Sequence, residues 1–226
     1  NKRQYCIKAD RMVNLKMNLF NNIISKEYVN DFNNQIKCVK DSVLTLEEAI
    51  KLLERECIPE MEDKCKIVGE LVIEGIKYQD KIKKTLDEEP TLGPNSAKYG
   101  YISNIIGDIG QKAKSVSELL TSIKDEELSK DLIKDFVKLI EIDESISREI
   151  YLIMKKIEDI EDEKINRFSK KIIKKKVEVE ELSKIILDKY DKKNKTDKEC
   201  QSFENIVEVL KKIPEDAEKV ALIINQ

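Results

Sequence analysis

Between Ser145 and Tyr190 the chain runs about 46 residues without a Pro or a Gly, and its isoleucines return at 146, 150, 153, 157 and 160. A 4-3-4-3 rhythm puts one apolar seam along one side of a helix. The rhythm then jumps five positions to Ile165 before Phe168 and Ile172, which is a stutter in such a seam. Unbroken, a helix of that length is ~70 Å long. A compact globule of 226 residues has a radius of gyration of only ~17 Å. The sequence therefore predicts an all-α, elongated antiparallel helical bundle of about eight helices, one of them very long (about 145–190).

The rest of the chain has the same period. Helices are expected over about Tyr5–Ile24, Lys26–Asp41, Thr45–Cys57, Pro59–Leu86, 112–124, 126–142, 202–213 and 217–224. Thr45-Leu46-Glu47-Glu48 has the form of a capping box, and Pro59 suits the first turn of a helix, where its missing N–H costs nothing. Two Pro and a Gly between Glu88 and Asn95 mark a loop. That loop divides the chain into a Cys-rich N-terminal subdomain (1–88) and a C-terminal bundle (89–226), unless the two form one continuous bundle.

Composition narrows the chemistry. The chain has no His, so a Ser/His or Cys/His nucleophile, an imidazole base and a His metal ligand are excluded. No phosphate-cradling glycine motif and no Asp/Asn-rich calcium loop occurs. No enzyme activity, cofactor or metal is expected. With 42 basic and 45 acidic residues the net charge is −3, which gives no general pull toward nucleic acid. Val220–Ile224, at five residues, is far short of the ~20 that span a bilayer, so no transmembrane segment is expected.

Cys6, Cys38, Cys57, Cys65 and Cys200 suggest two disulfides and one free thiol, of unassigned connectivity. Cys57 and Cys65 lie ~12 Å apart along a straight helix. Disulfide Cα atoms sit within ~7 Å, so these two join only if Pro59 breaks the path. Asn194-Lys195-Thr196 matches an N-glycosylation acceptor in a polar stretch. Together with a chain that starts at Asn1, these features point to an extracellular glycoprotein.

Two surface features suggest partners. Lys164, Arg167, Lys170, Lys171, Lys174 and Lys175 fall within an arc of about 140° opposite Ile165, Phe168 and Ile172. Lys170, Lys171 and Lys174 are candidate contacts for a polyanion such as a glycan. Tyr99 and Tyr101 stand among Gly93, Gly100, Gly107 and Gly110 as candidate protein contacts. The expected function is a non-enzymatic secreted or surface-exposed helical protein that binds another protein, as an effector, surface antigen or salivary or venom-type factor. The alternatives are an intracellular (cytoplasmic) coiled-coil scaffold or adaptor, and a carrier of a small apolar ligand between helices.

Overall fold

The computed structural model describes residues 26–88, 93–123, 128–156, 161–193 and 200–225. Among them are seven helices: α1 (Lys26–Glu54), α2 (Ile58–Glu88), α3 (Gly93–Ser122), α4 (Lys130–Met154), α5 (Asp162–Lys193), α6 (Cys200–Leu210) and α7 (Lys212–Ile224). The architecture is all-helical, as the periodicity requires, but the count of about eight is not matched. The expected helix over Tyr5–Ile24 lies outside the described residues.

Several expected breaks are absent. Thr45 does not cap a helix; α1 passes straight through it. Its hydroxyl instead donates to the Asp41 carbonyl at 2.8 Å, satisfied within the helix it was expected to begin. Of the expected loop at 88–95, which does separate α2 from α3, residues 93–95 belong to α3, starting at Gly93, and residues 89–92 lie outside the described residues. Pro94 then stands in the first turn, where an N–H has no intrahelical partner anyway. The glycines beyond it do not interrupt α3. At Gly110 a Cβ would lie 3.1 Å from Val39 of α1 and 3.8 Å from Val72 of α2, so the missing side chain lets three helices meet.

The very long helix over 145–190 is corrected to two. α4 ends at Met154, and Lys155 N–H bonds back to the Tyr151 carbonyl. α5 begins again at Asp162, with Asp162 and Glu163 in its first turn facing the positive helix end. α5 runs antiparallel to α4, with Lys171 against Glu149 and Lys189 against Asp135, and residues 157–160 between them lie outside the described residues.

Real start and stop signals are few. Ser129 caps α4 by accepting the Leu132 N–H at 3.4 Å. Pro59 is the second residue of α2. Glu56, at φ 59°, closes α1 in the left-handed conformation, with Cys57 N–H reaching the Leu52 carbonyl at 2.9 Å. That is a Schellman-type stop with a side chain where Gly is usual.

Ion pairs fix the helix directions. Lys64 meets Glu48 at 2.5 Å, so α1 and α2 form an antiparallel hairpin. Lys51 reaches Glu141 at 2.8 Å and Lys40 lies 5.1 Å over the Tyr151 ring, so α1 and α4 are antiparallel. α2 covers α1 and α3, while α5 covers α4 and α7. The core runs without a gap from Tyr28 to Ala221. Aromatic clusters mark it in both halves: Tyr28, Phe32 and Tyr99 in one, Phe136, Tyr190 and Phe203 in the other.

Candidate functional site

The basic stripe forms on α5 but is largely answered by acids. Lys164 pairs with Glu161 at 3.2 Å, Arg167 with Glu163, and Lys174 with Glu178 at 3.6 Å along the helix itself. Lys171 crosses to Glu149 of α4 and Lys176 to Glu218 of α7, the latter at 2.8 Å. Lys175 donates to Ser145 of α4, and burial, then neighbouring Lys171, holds its pKa below the usual lysine value. These contacts strap α5 to the bundle. A glycan contact is therefore not supported. Among the described residues Lys170 and Lys175 of the stripe have no ion pair, and Lys175 is held by its bond to Ser145.

The two tyrosines part company. Tyr99 is 8 % exposed and packs edge-on against Phe32 at 5.7 Å and Tyr28 at 6.3 Å. Tyr101, two residues on, points the other way and is 67 % exposed. Helix geometry dictates that split, because i and i+2 face nearly opposite sides.

The disulfide expectation is corrected. Cys38, Cys57 and Cys65 are free thiols. Pro59 lies in the first turn of α2 rather than breaking it, so Cys57 and Cys65 stay about two turns, ~12 Å, apart. The Cys65 thiol lies 3.6 Å from the Met61 sulfur, and burial pushes its pKa up to about 12. Cys38 faces Gly75 of α2, and burial pushes its thiol up to about 11. Both act as small core residues and inert thiols. Cys6 and Asn194 lie outside the described residues; Cys200 opens α6, with its side chain outside them too.

Two open grooves mark the surface. One, of about 330 Å³ between α2 and α3, is lined by Cys65, Gly69 and Ser117 under Glu62, Lys66 and Glu118. The other, of about 510 Å³ between α4 and α5, has Ile142, Leu182 and Ile185 beneath Lys138, Glu141 and Glu178. Both are open clefts rimmed by charge, unlike the closed apolar chamber a carrier needs. Among the described residues no helix is long and apolar enough to cross a membrane, and no group of three Cys or acidic side chains is placed to hold a metal.

The residue that sequence reasoning missed is Asp143. It is fully buried on α4, and neither carboxyl oxygen has a hydrogen-bond partner among the described residues. Desolvation raises its pKa well above the usual carboxylate value. A signal was present: Asp143 lies three before Ile146 and seven before Ile150, on the seam itself. Eight residues earlier, Asp135 is held below the usual carboxylate range by hydrogen bonds from Lys138 and from Lys189 of α5.

No model of a known protein family and no curated protein matches the chain. Solved structures do. A PhoU-like phosphate regulatory protein from Shewanella oneidensis superposes with a TM-score of 0.77 at 11 % identity, over 90 % of this chain and 97 % of its own. A second PhoU-like protein from the same organism gives 0.77 at 10 % identity, over 88 % and 97 %. The likeness is one of fold, and it takes in the whole length of both neighbours.

That finding, with the free thiols, overturns the secreted or surface-exposed reading. Its fold is that of PhoU-like regulatory proteins, and the cysteines that argued for an oxidising compartment are unpaired where described. The extracellular location and the glycoprotein assignment fall with it.

Proposed function

We propose that the chain is a non-enzymatic regulatory protein of the cell interior, a helical scaffold that works by docking another protein. The single observation behind this reading is the near-complete overlap with PhoU-like bundles, one of them described as a phosphate regulatory protein. The free cysteines suit a reducing compartment. The grooves and helix faces offer contact surface rather than an enclosed reaction chamber. We treat the described helices as one continuous bundle around a shared core, the second of the two organisations the sequence allows. Of the two tyrosines, Tyr101 is the candidate partner contact that remains available at the surface.

The regulatory reading is tested in the source cells. Removing the gene should change the rate of uptake of radiolabelled phosphate, and restoring it should reverse the change. Unchanged uptake, or a tagged chain found outside the cells, would overturn it.

A further inference from the structure

Helix α5 carries a face that the bundle does not use. Ile173 and Val177 are 48 % and 47 % exposed and stand one turn apart, so they share that face. Leu222 of α7 is 56 % exposed. Two anchors place it alongside: Asn225 donates to Ser169 at 2.6 Å, and Lys176 meets Glu218 at 2.8 Å. The anchors pair 169 with 225 and 176 with 218, seven residues for seven, so the antiparallel register brings Leu222 level with residues 172–173. Three large aliphatic side chains are thus held half-exposed over roughly two turns, ~10 Å of helix.

The edge of this patch is basic at its N-terminal end, at Lys170 and Lys174, and turns acidic beyond it, at the exposed Glu178 and Glu181. Lys170 lies one turn before Ile173 and two turns before Val177 on the outward side and has no ion pair among the described residues. Lys174 is 79 % exposed, and its only acid, Glu178, stands off at 3.6 Å. Lys171, Lys175 and Lys176 are turned inward to α4 or α7, and Lys164 and Arg167 stand further back with acids of their own, which leaves Lys170 and the loosely paired Lys174 as the cations beside the patch. An aliphatic strip with i, i+4 spacing and lysines along one margin complements a helix whose own apolar stripe is flanked by Glu or Asp.

We propose that the outward face of α5, with Ile173, Val177 and Leu222 at its centre and Lys170 and Lys174 at its edge, docks an acidic amphipathic helix of a partner protein. This deepens the scaffold reading and rests on it. The lysines steer the approach and fix the direction of the incoming helix, while the aliphatic side chains supply the area removed from water.

The test uses the full chain and a labelled synthetic 18-residue peptide with apolar residues at i, i+3, i+4 and i+7 and glutamates on the flanks. Fluorescence anisotropy should show saturable binding that weakens with salt. The K170E/K174E variant should lose roughly tenfold or more in affinity, and so should I173S/V177S. All four positions are at the surface, so folding is preserved, and circular dichroism checks it. The proposal is overturned by absence of binding, by equal binding of a lysine-flanked peptide, or by indifference to both variants. Binding to anionic lipid vesicles instead of the peptide would also overturn it, as would a patch covered by a second copy in sedimentation. Phosphate uptake is measured separately, so a failed docking test leaves the regulatory reading to its own experiment.

Discussion

Two buried polar sites, one in each half of the bundle, are treated in opposite ways. In α1–α3, Gln35 and Ser103 sit in the core and answer each other: the amide donates to the Ser103 carbonyl at 2.9 Å, and the hydroxyl donates to the amide oxygen at 2.7 Å. In α4–α7, Asp143 is buried with neither oxygen engaged, and the Ser183 hydroxyl is likewise without a partner among the described residues. A satisfied pair costs little and fixes how α1 meets α3; an unsatisfied acid costs several kcal/mol as an ion and so keeps its proton. The meeting of α1 and α3 is therefore stitched by a polar pair, whereas Asp143 is held among apolar packing without one, unlike the buried Asp216 of its own half, which pairs with Lys112 and Lys219.

The comparison presumes that both halves share one apolar core. If they do, Phe32→Ala and Phe136→Ala, each removing a buried ring, should both cost about 3–5 kcal/mol in denaturant unfolding, within a single transition. Two separate transitions would break the shared core into independent domains.

The polar contrast is sharpened by opposite signs. Gln35→Leu should destabilise by about 1–3 kcal/mol, because it strands the Ser103 hydroxyl. Asp143→Leu should stabilise at neutral pH by about 1–3 kcal/mol, because it removes a buried acid with no partner. Asp143 has a folded pKa above its unfolded one, so its favourable share of stability is complete below the ordinary carboxylate pKa. That share is lost as pH rises toward the folded value. The gain from Asp143→Leu should therefore shrink as pH falls from the raised folded value toward about 4, and level off below that. A gain that holds at pH 3 would point to packing instead.

Asp135 gives the reverse. Its folded pKa is depressed by Lys138 and Lys189, so its contribution is present above the ordinary carboxylate pKa and is lost as pH falls through the folded value. Asp135→Asn should flatten the acid limb of a melting-temperature profile, and an unchanged limb would remove the strap between α4 and α5 from the account.

The smallest effect belongs to the hairpin of the first half. Glu56→Gly should stabilise by about 0.5–1 kcal/mol in thermal unfolding, since φ 59° suits Gly better than any side chain. A loss of stability would mean that the Glu56 side chain has work to do there.

Much of the helical content was legible because apolar spacing is a local signal. The start of α2 at Pro59 and the core positions Ile146, Ile150 and Phe168 follow from that spacing. Thr45 and Pro94 misled because each is also tolerated inside or at the first turn of a helix, and only neighbouring helices decide which. The disulfide reading failed for a similar reason: a Cys spacing says nothing of which way the thiols face, and Cys38 and Cys65 face the core. The basic stripe was legible as a row of charges. That Glu149 and Glu218 come from other helices to meet it was not.

By itself the sequence determined that the chain would be helical and that most of its Ile, Leu and Val would be hidden, because a 3–4 residue period acts within a turn or two. Which helices became neighbours was decided only in three dimensions. Placing Asp143 in the core, pairing Lys171 and Lys176 across helices and leaving Ile173 and Val177 uncovered all depend on α5 lying against α4 and α7, a contact between segments tens of residues apart that no local pattern encodes.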